Sequence, residues 1–204
     1  MGFLSSTVSI ARYKIHGKFK EQILENVGQG LKKNMISEID GKAVDKTVGW
    51  TAFENPFKPA FTGSSFSIGT LLIFSMRIDK KTIPPKIVKK HVALESAKLL
   101  AASGRKYFSK DEKTAIKDRV INALTIRIPA TPNVYEILWN YEDAKIWFFS
   151  SLKSANEEFE TLFTRSFNLT PIRLFPYTMA ELAADLTHVE RDTLTNISST
   201  KFAK

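Results

Sequence analysis

The sequence predicts an α+β protein that has an antiparallel sheet and, in the middle of the chain, a pair of basic helices. Several short segments alternate apolar and polar residues, which indicates strands, whereas others repeat apolar residues every three or four positions, which indicates helices. Their order is β-α-β-β, then α-α, then β-β-α-β, and tight turns between neighbouring strands favour antiparallel pairing. We expect residues 1–176 to form one domain and residues 177–204 a helical segment with a frayed tail.

The predicted strands are short, alternate in polarity and are bounded by turn residues. They cover residues 7–15, 48–50, 66–78, 134–141, 145–149 and 171–175. The clearest is the third, in which Phe66, Leu72 and Phe74 share one face. Its other face mixes small, polar and apolar residues, so we expect a sheet with helices packed on one side.

The predicted helices have recognisable ends. Pro84-Pro85 favours the start of the first central helix and Gly104 its end. The second central helix starts at a capping box formed by Ser109 and Glu112, buries a stripe of Ile116, Val120 and Leu124, and is bounded by Pro129. Further helices are predicted over residues 18–33, 154–167 and 179–192.

Composition excludes several kinds of site. The chain has no Cys, which excludes disulfides, thiolate metal sites and Cys nucleophiles. We find no apolar run long enough to cross a membrane and no secretory signal, so we expect a cytoplasmic protein without membrane association.

Positive charge is concentrated in one quarter of the chain. The sequence has 30 Lys and Arg against 21 Asp and Glu, and residues 77–127 hold fourteen of the basic residues but five of the acids. The other residues are balanced, with sixteen of each sign. Solubility does not require this asymmetry, whereas an anionic partner would explain it.

The basic residues of this segment lie on both central helices, on their connection and just before them. Ten are lysines and four are arginines, which favours phosphate contacts over bidentate reading of bases. The segment therefore predicts sequence-independent binding of nucleic acid. The predicted phosphate contacts are Lys80, Lys81, Lys86, Lys89, Lys90, Arg105, Lys106, Lys110, Lys113, Lys117 and Arg127.

Other interpretations of the charge stay open. Lysines commonly form a solvated helical face with no partner. The same face would suit an acidic protein, and RNA would satisfy it as DNA does. A metal-dependent nuclease is a further alternative.

Catalytic motifs are missing from the sequence. His16, His91 and His188 lack metal-ligand spacing, and we find neither a Gly-rich phosphate loop nor paired acids suited to two-metal chemistry. We therefore expect no enzymatic activity and no cofactor. Tyr107 and Phe108 interleave with the charge, and we expect them to pack in the turn between the central helices rather than to stack on bases.

Five pieces of sequence succeed one another in a distinctive order. They are "MGFLSSTVSIARYKI", Gly49-Trp50, "MRIDKKTIPPKIVKKHV", "SKDEKTAIKDRVINALTIR" and "ILWNYEDAKIWFFSSLKSANEEFETLF". Over residues 3–176 this order and spacing resemble the RdgC family of recombination-associated proteins. The matching motifs are the start of the first central helix at residues 81–89, the second central helix at 109–118, the hairpin with Trp139 and the helix start at 150–157.

The resemblance implies a DNA-binding protein without catalytic activity. Family members form ring-shaped homodimers whose basic inner surface encircles duplex DNA, and they restrain recombinase filaments. For this chain the resemblance implies a nucleoid-associated homodimer that modulates recombination or replication by coating or encircling duplex DNA.

Two features depart from the family pattern. The family's second central helix commonly leads into a finger whose Arg and Phe contact DNA; here Arg127 matches the arginine, but Pro129 stands where the aromatic residue is expected. The chain is also shorter than typical members, whose C-terminal portion helps to complete the ring. An open cradle is therefore an alternative to a closed ring.

Overall fold

The computed structural model describes residues 2–19, 22–63, 65–183 and 186–198 and confirms the α+β class. Its strands are β1 Ala11–His16, β2 Lys46–Thr51, β3 Ser67–Ile68, β4 Leu71–Lys80, β5 Thr131–Asn140, β6 Lys145–Phe148 and β7 Thr170–Leu174. Its helices are α1 Ile23–Lys33, α2 Pro85–Ser103, α3 Lys110–Arg127, α4 Lys153–Phe167, α5 Pro176–Ala183 and α6 His188–Asn196.

The strands pair in the order β2-β4-β5-β6-β1-β7, with β3 also beside β4. The pairs β1–β6, β1–β7, β2–β4, β3–β4 and β5–β6 are antiparallel, as predicted. The chain divides into two compact units, each assembled from separate segments. The first contains residues 1–26, 67–73 and 136–204, and the second contains residues 27–66 and 74–135. The predicted domain boundary after residue 176 stays a prediction.

The first unit is held together by aromatic side chains between α4 and its strands. The ring of Phe159 stacks on Phe148 of β6 at 4.7 Å between centroids and lies 5.1 Å from Tyr13 of β1. Phe163, one turn further along α4, meets Trp139 of β5 edge-on at 5.0 Å. The helix predicted over residues 154–167 is thereby confirmed, with Phe159 and Phe163 buried against the strands. Burial of apolar surface stabilises this core, and the preferred geometry of the ring pairs helps to fix how α4 packs on the strands.

The second unit depends on a close backbone approach at β2. The segment after α1 pairs with Trp50, whose N–H donates to the Asn34 carbonyl at 2.9 Å and whose carbonyl accepts from the Ile36 N–H at 2.9 Å. A Cβ on Gly49 would lie 2.5 Å from the Ile36 backbone, so glycine is required there. The buried Trp50 ring meets Phe74 of β4 edge-on at 5.3 Å.

The first predicted strand and the first predicted helix begin later than expected, at Ala11 and Ile23, and two other predicted elements are each divided in two. The strand expected over residues 66–78 is confirmed from Leu71 onward as β4, but Gly69, with a φ of 60°, turns the chain so that Ser67–Ile68 forms the separate short strand β3 beside β4. The helical segment expected over residues 179–192 is two helices, α5 and α6, because a capping box of Thr187 and Glu190 starts a new helix. Residues 199–204, the end of the predicted frayed tail, lie outside the described residues.

None of the helices that the structure describes combines the length and the apolar composition needed to cross a lipid bilayer.

Candidate nucleic-acid interface

Most of the predicted basic segment, from Pro85 to Arg127, folds into the α2–α3 hairpin, which lies wholly within the second unit. Proline at the first turn of α2 costs no hydrogen bond, and Gly104 ends the helix in the left-handed conformation with a φ of 66°. The capping box of α3 is confirmed: the Glu112 N–H donates to Ser109 Oγ at 3.2 Å, and the Ser109 N–H donates to Glu112 Oε2 at 2.8 Å. Local sequence signals therefore fix both ends of the connection.

The connection between the two helices presents an ion pair and an exposed aromatic ring. Arg105 Nη1 donates to Glu112 Oε1 at 2.7 Å. The backbone bond from Ser109, helped by Arg105, lowers the pKa of the Glu112 carboxyl. Tyr107 is 80% exposed, so the prediction that it packs in the turn is wrong, whereas Phe108 is half-buried.

The two helices of the hairpin differ in burial. Along α3 the predicted stripe of Ile116, Val120 and Leu124 is buried, which confirms that prediction. No residue of the nineteen in α2 is buried, and α3 is the described element that it packs against most extensively. The hairpin therefore leaves much of α2 open to binding partners.

Lysines from both helices border one groove of the hairpin. Lys89 of α2 and Lys117 of α3 line opposite sides of a groove of about 580 Å³. At 100° per residue, Lys110 and Lys113 lie within 40° of Lys117 around α3, so these three ammonium groups follow one side of the helix. Lys86 precedes Lys89 by one turn but lies farther round α2. The structure thus brings part of the predicted set together.

Most of the predicted contact residues are exposed and lack an acidic partner. Within the part of the chain that the structure describes, none of the following forms an ion pair: Lys80, Lys86, Lys89, Lys90, Lys106, Lys110, Lys113, Lys117 and Arg127. Arg105 is exposed but is engaged by Glu112. Unpaired cations on adjoining helices repel each other, so a polyanion is the type of ligand that they would bind most favourably.

Lys81 is the member of the predicted set that the structure removes from the surface. Its side chain is 5% exposed, and its ammonium group donates to the carbonyl oxygens of Thr125 at 2.7 Å and Lys42 at 2.9 Å. Thr125 lies in the last turn of α3, where the unpaired carbonyls attract a cation. Lys81 therefore anchors α3 instead of facing a ligand.

Arg77 is a second buried cation of the basic segment. Its guanidinium forms two hydrogen bonds with the buried Asp79 carboxylate, at 2.9 and 2.7 Å, and further bonds with Glu38 and the Pro56 carbonyl. Burial works against the charged form, but the bonds to Asp79 and Glu38 raise the pKa of Arg77 overall. This cluster ties β4 to the loop that contains Pro56.

Arg127 lies apart from the lysine groove. It lines a separate depression of about 230 Å³ between α2 and α3, together with Arg119, His91, Leu94 and Glu95. Arg119 is not among the contacts predicted from the sequence. It lies two residues after Lys117 and therefore on another side of α3, where it adds a cation beside Arg127. The hairpin therefore exposes cations on two sides.

No group of three or more His, Asp or Glu side chains in residues 2–19, 22–63, 65–183 and 186–198 is arranged to hold a metal ion.

Comparison with other proteins adds a family assignment. Curated proteins give no match to this chain. A family model described as "Putative exonuclease, RdgC" matches residues 9–189, which is most of the 204-residue chain and includes the whole α2–α3 hairpin. The chain belongs to the RdgC family.

Proposed function

We propose that this chain is a DNA-binding protein that contacts the phosphate backbone of duplex DNA through the α2–α3 hairpin, without reading sequence. The observation that carries the proposal is the set of exposed cations from residues 80–127 that have no ion-pair partner among the described residues. Membership of the RdgC family supports a role in recombination, which we propose the protein exerts by coating or encircling duplex DNA.

The physical driving force is the release of condensed counterions. Each phosphate that a lysine neutralises frees cations from the DNA, so affinity falls steeply as salt rises. Lysine offers a point charge on a flexible stem, which tolerates variation in phosphate position but gives little geometric selection among bases. A lysine-rich, arginine-poor hairpin therefore suits contact with any duplex.

The residues that we propose for phosphate contact are the exposed ones of the predicted set. Lys89, Lys113 and Lys117 form the centre, because they lie on or beside the shared groove. Lys81 is omitted because its ammonium group is already bound by two carbonyl oxygens. Arg105 is retained as a secondary contact. Its ion pair with Glu112 is exposed and contributes little free energy, so a phosphate can replace Glu112 at small cost.

Fluorescence anisotropy with two labelled duplexes of unrelated sequence tests the proposal. If about six phosphates are neutralised, the slope of log affinity against log salt is about −5, and both duplexes give the same slope and affinity. RNA of matched length distinguishes DNA from RNA binding. Tight binding with a flat salt response, or strong preference for one duplex, would contradict the proposal.

The family description also names exonuclease activity, and the proposal here is binding without cleavage. The test is incubation of end-labelled duplex and single strands with magnesium or manganese, followed by gel electrophoresis. Intact DNA at protein excess supports a binding protein. Progressive shortening from one end, abolished by a chelator, would establish an exonuclease and overturn this part of the proposal.

We further propose that the protein acts as a nucleoid-associated homodimer. Analytical ultracentrifugation of the full chain with and without a short duplex gives the number of protomers in each state. A monomer that stays monomeric on DNA would contradict the homodimer.

A further inference from the structure

A groove on the α2–α3 hairpin has an apolar floor that DNA binding does not use. Its floor is formed mainly by Ile83, Val88 and Val92 from the α2 side and Ile121 from α3, all half-buried. A phosphate backbone would engage the flanking lysines but would leave this aliphatic surface in contact with water. Contact with DNA therefore leaves this apolar surface unexplained.

The geometry of the groove suits a third helix. Two helices joined by a short turn bury an apolar strip only between themselves, and a third helix laid along their groove completes a small bundle. The helices α2 and α3 are about 27 Å long at 1.5 Å per residue, which accommodates a partner helix of about sixteen residues. Apolar residues three and four positions apart on that helix would meet the floor.

The charge beside the groove defines the partner helix further. Lys89 on one side and Lys117 on the other are exposed, and neither forms an ion pair with another described residue. Lys113 continues the positive side along α3. A partner helix that carried Glu or Asp on both flanks of its apolar stripe would pair with these lysines, whereas a basic helix would be repelled.

We propose that this groove binds an acidic amphipathic helix of a partner protein. Such a helix satisfies the aliphatic floor and the lysines together, whereas DNA satisfies the lysines alone. The depression on the other side of the hairpin lacks this combination, because Glu95 mixes with Arg119 and Arg127 there. This proposal is independent of DNA binding, because binding of the partner helix is measured in the absence of DNA.

The probe is a fluorescein-labelled sixteen-residue peptide with leucines at helical spacing on one face and glutamates elsewhere. Its control has the same composition, with the leucines distributed around the helix, so that both carry equal charge. In anisotropy titrations against the full-length protein we expect the amphipathic peptide to bind at least tenfold more tightly. Equal affinity for the two peptides would show a surface that recognises polyanions only and would overturn the proposal.

Two charge-matched variants locate the binding surface. Ala93 is exposed and lines the groove, whereas the neighbouring Leu94 is exposed on the other side of the hairpin. We expect Ala93→Glu to weaken the amphipathic peptide at least tenfold and Leu94→Glu to change it less than twofold, with unchanged circular dichroism for both. Equal weakening by both variants would contradict the groove as the site.

Sedimentation of the same variants tests whether a second copy of this chain occupies the groove instead. If Ala93→Glu converts a dimer to a monomer while Leu94→Glu does not, a second copy of this chain occupies the groove. That result would overturn the proposal of a helix from a partner protein. Unchanged sedimentation together with the loss of peptide binding supports the proposal.

Discussion

Residues 77–81 and the α2–α3 hairpin carry the same kind of charge in two different ways. At and just after the end of β4, Arg77 and Lys81 are buried, and their side chains donate hydrogen bonds to carboxylate and carbonyl oxygens of the second unit. Along the hairpin the lysines are exposed and, among the described residues, unpaired. The difference shows that net charge of a segment overstates the charge available to a ligand.

The physical basis of this difference is desolvation. A cation taken out of water loses several kcal/mol of hydration, so it persists in the interior only where hydrogen-bond acceptors replace the water. Such a cation would have to leave its buried acceptors in order to contact a phosphate. An exposed lysine keeps its hydration and exchanges it for a phosphate at little cost. Substitutions in the two regions should therefore affect different properties of the protein.

The largest effect is expected for Arg77→Met. The substitution leaves the Asp79 carboxylate, which is 3% exposed, buried without its partner. Removing one partner of a buried pair costs about 3–5 kcal/mol, so urea unfolding should show a loss of this size. DNA affinity of the protein that remains folded should be unchanged. A stability loss below about 1 kcal/mol would contradict the structural role assigned to this cluster.

Substitutions in the α2–α3 hairpin should weaken DNA binding and leave stability nearly unchanged. Replacing Lys110, Lys113 and Lys117 by Gln removes up to three phosphate contacts and should reduce the salt slope of duplex binding by about 2.7. At about 0.15 M salt this corresponds to affinity weaker by on the order of a hundredfold, with stability nearly unchanged. The matched control is Gln at Lys32, Lys33 and Lys58, which are also exposed in the second unit. Equal weakening by both triples would indicate attraction by net charge alone.

Lys81→Met and Lys80→Met make the same comparison at adjacent positions. Losing Lys81 leaves the carbonyls of Thr125 and Lys42 without their donor and should cost about 1–3 kcal/mol of unfolding free energy. Losing the exposed Lys80 should change stability by less than about 0.5 kcal/mol. Duplex affinity should respond to Lys80→Met and not to Lys81→Met. The reverse pattern in either measurement would refute the division between buried and exposed cations.

The smallest effect concerns the capping box at the start of α3. Because the folded-state pKa of Glu112 is lowered, its charge stabilises the fold above the ordinary pKa near 4.5, and this stabilisation is lost as pH falls through the folded-state value. Glu112→Gln keeps an acceptor but removes the charge. The melting temperature should therefore drop slightly at pH 7, and the difference from the unsubstituted protein should shrink as pH falls below 4.5 and Glu112 becomes protonated. A titration of the Glu112 carboxyl by NMR that gave a pKa above 4.5 would contradict this.

Sequence reasoning recovered the parts of the fold that local chemistry decides. The capping box of Ser109 and Glu112 and the stripe of Ile116, Val120 and Leu124 follow from spacing along one helix, and both are confirmed. The sequence does not reveal the turn at Gly69, because the apolar residues Phe66 and Ile68 before it and Leu72 after it continue the alternation of a single strand. A turn that needs a positive φ is visible in the sequence only as a single glycine.

The candidate site was recovered less completely, because burial depends on distant contacts. Nothing near Lys81 in the sequence indicates that the carbonyls of Lys42 and Thr125 meet its ammonium group. The sequence also does not reveal that Tyr107 is exposed, because aromatic side chains are usually packed against other residues. The apolar groove lies between two helices, and it is recognisable only once their facing sides are known.

Lysine footprinting tests the central claim most directly. The protein is acetylated with and without excess duplex DNA, and the modification at each lysine is measured by mass spectrometry. The account predicts that DNA protects Lys89, Lys113 and Lys117, that Lys32 and Lys58 react equally in both states, and that Lys81 reacts in neither. Protection of Lys32 and Lys58, together with no protection along the hairpin, would contradict the hairpin as the DNA-binding surface.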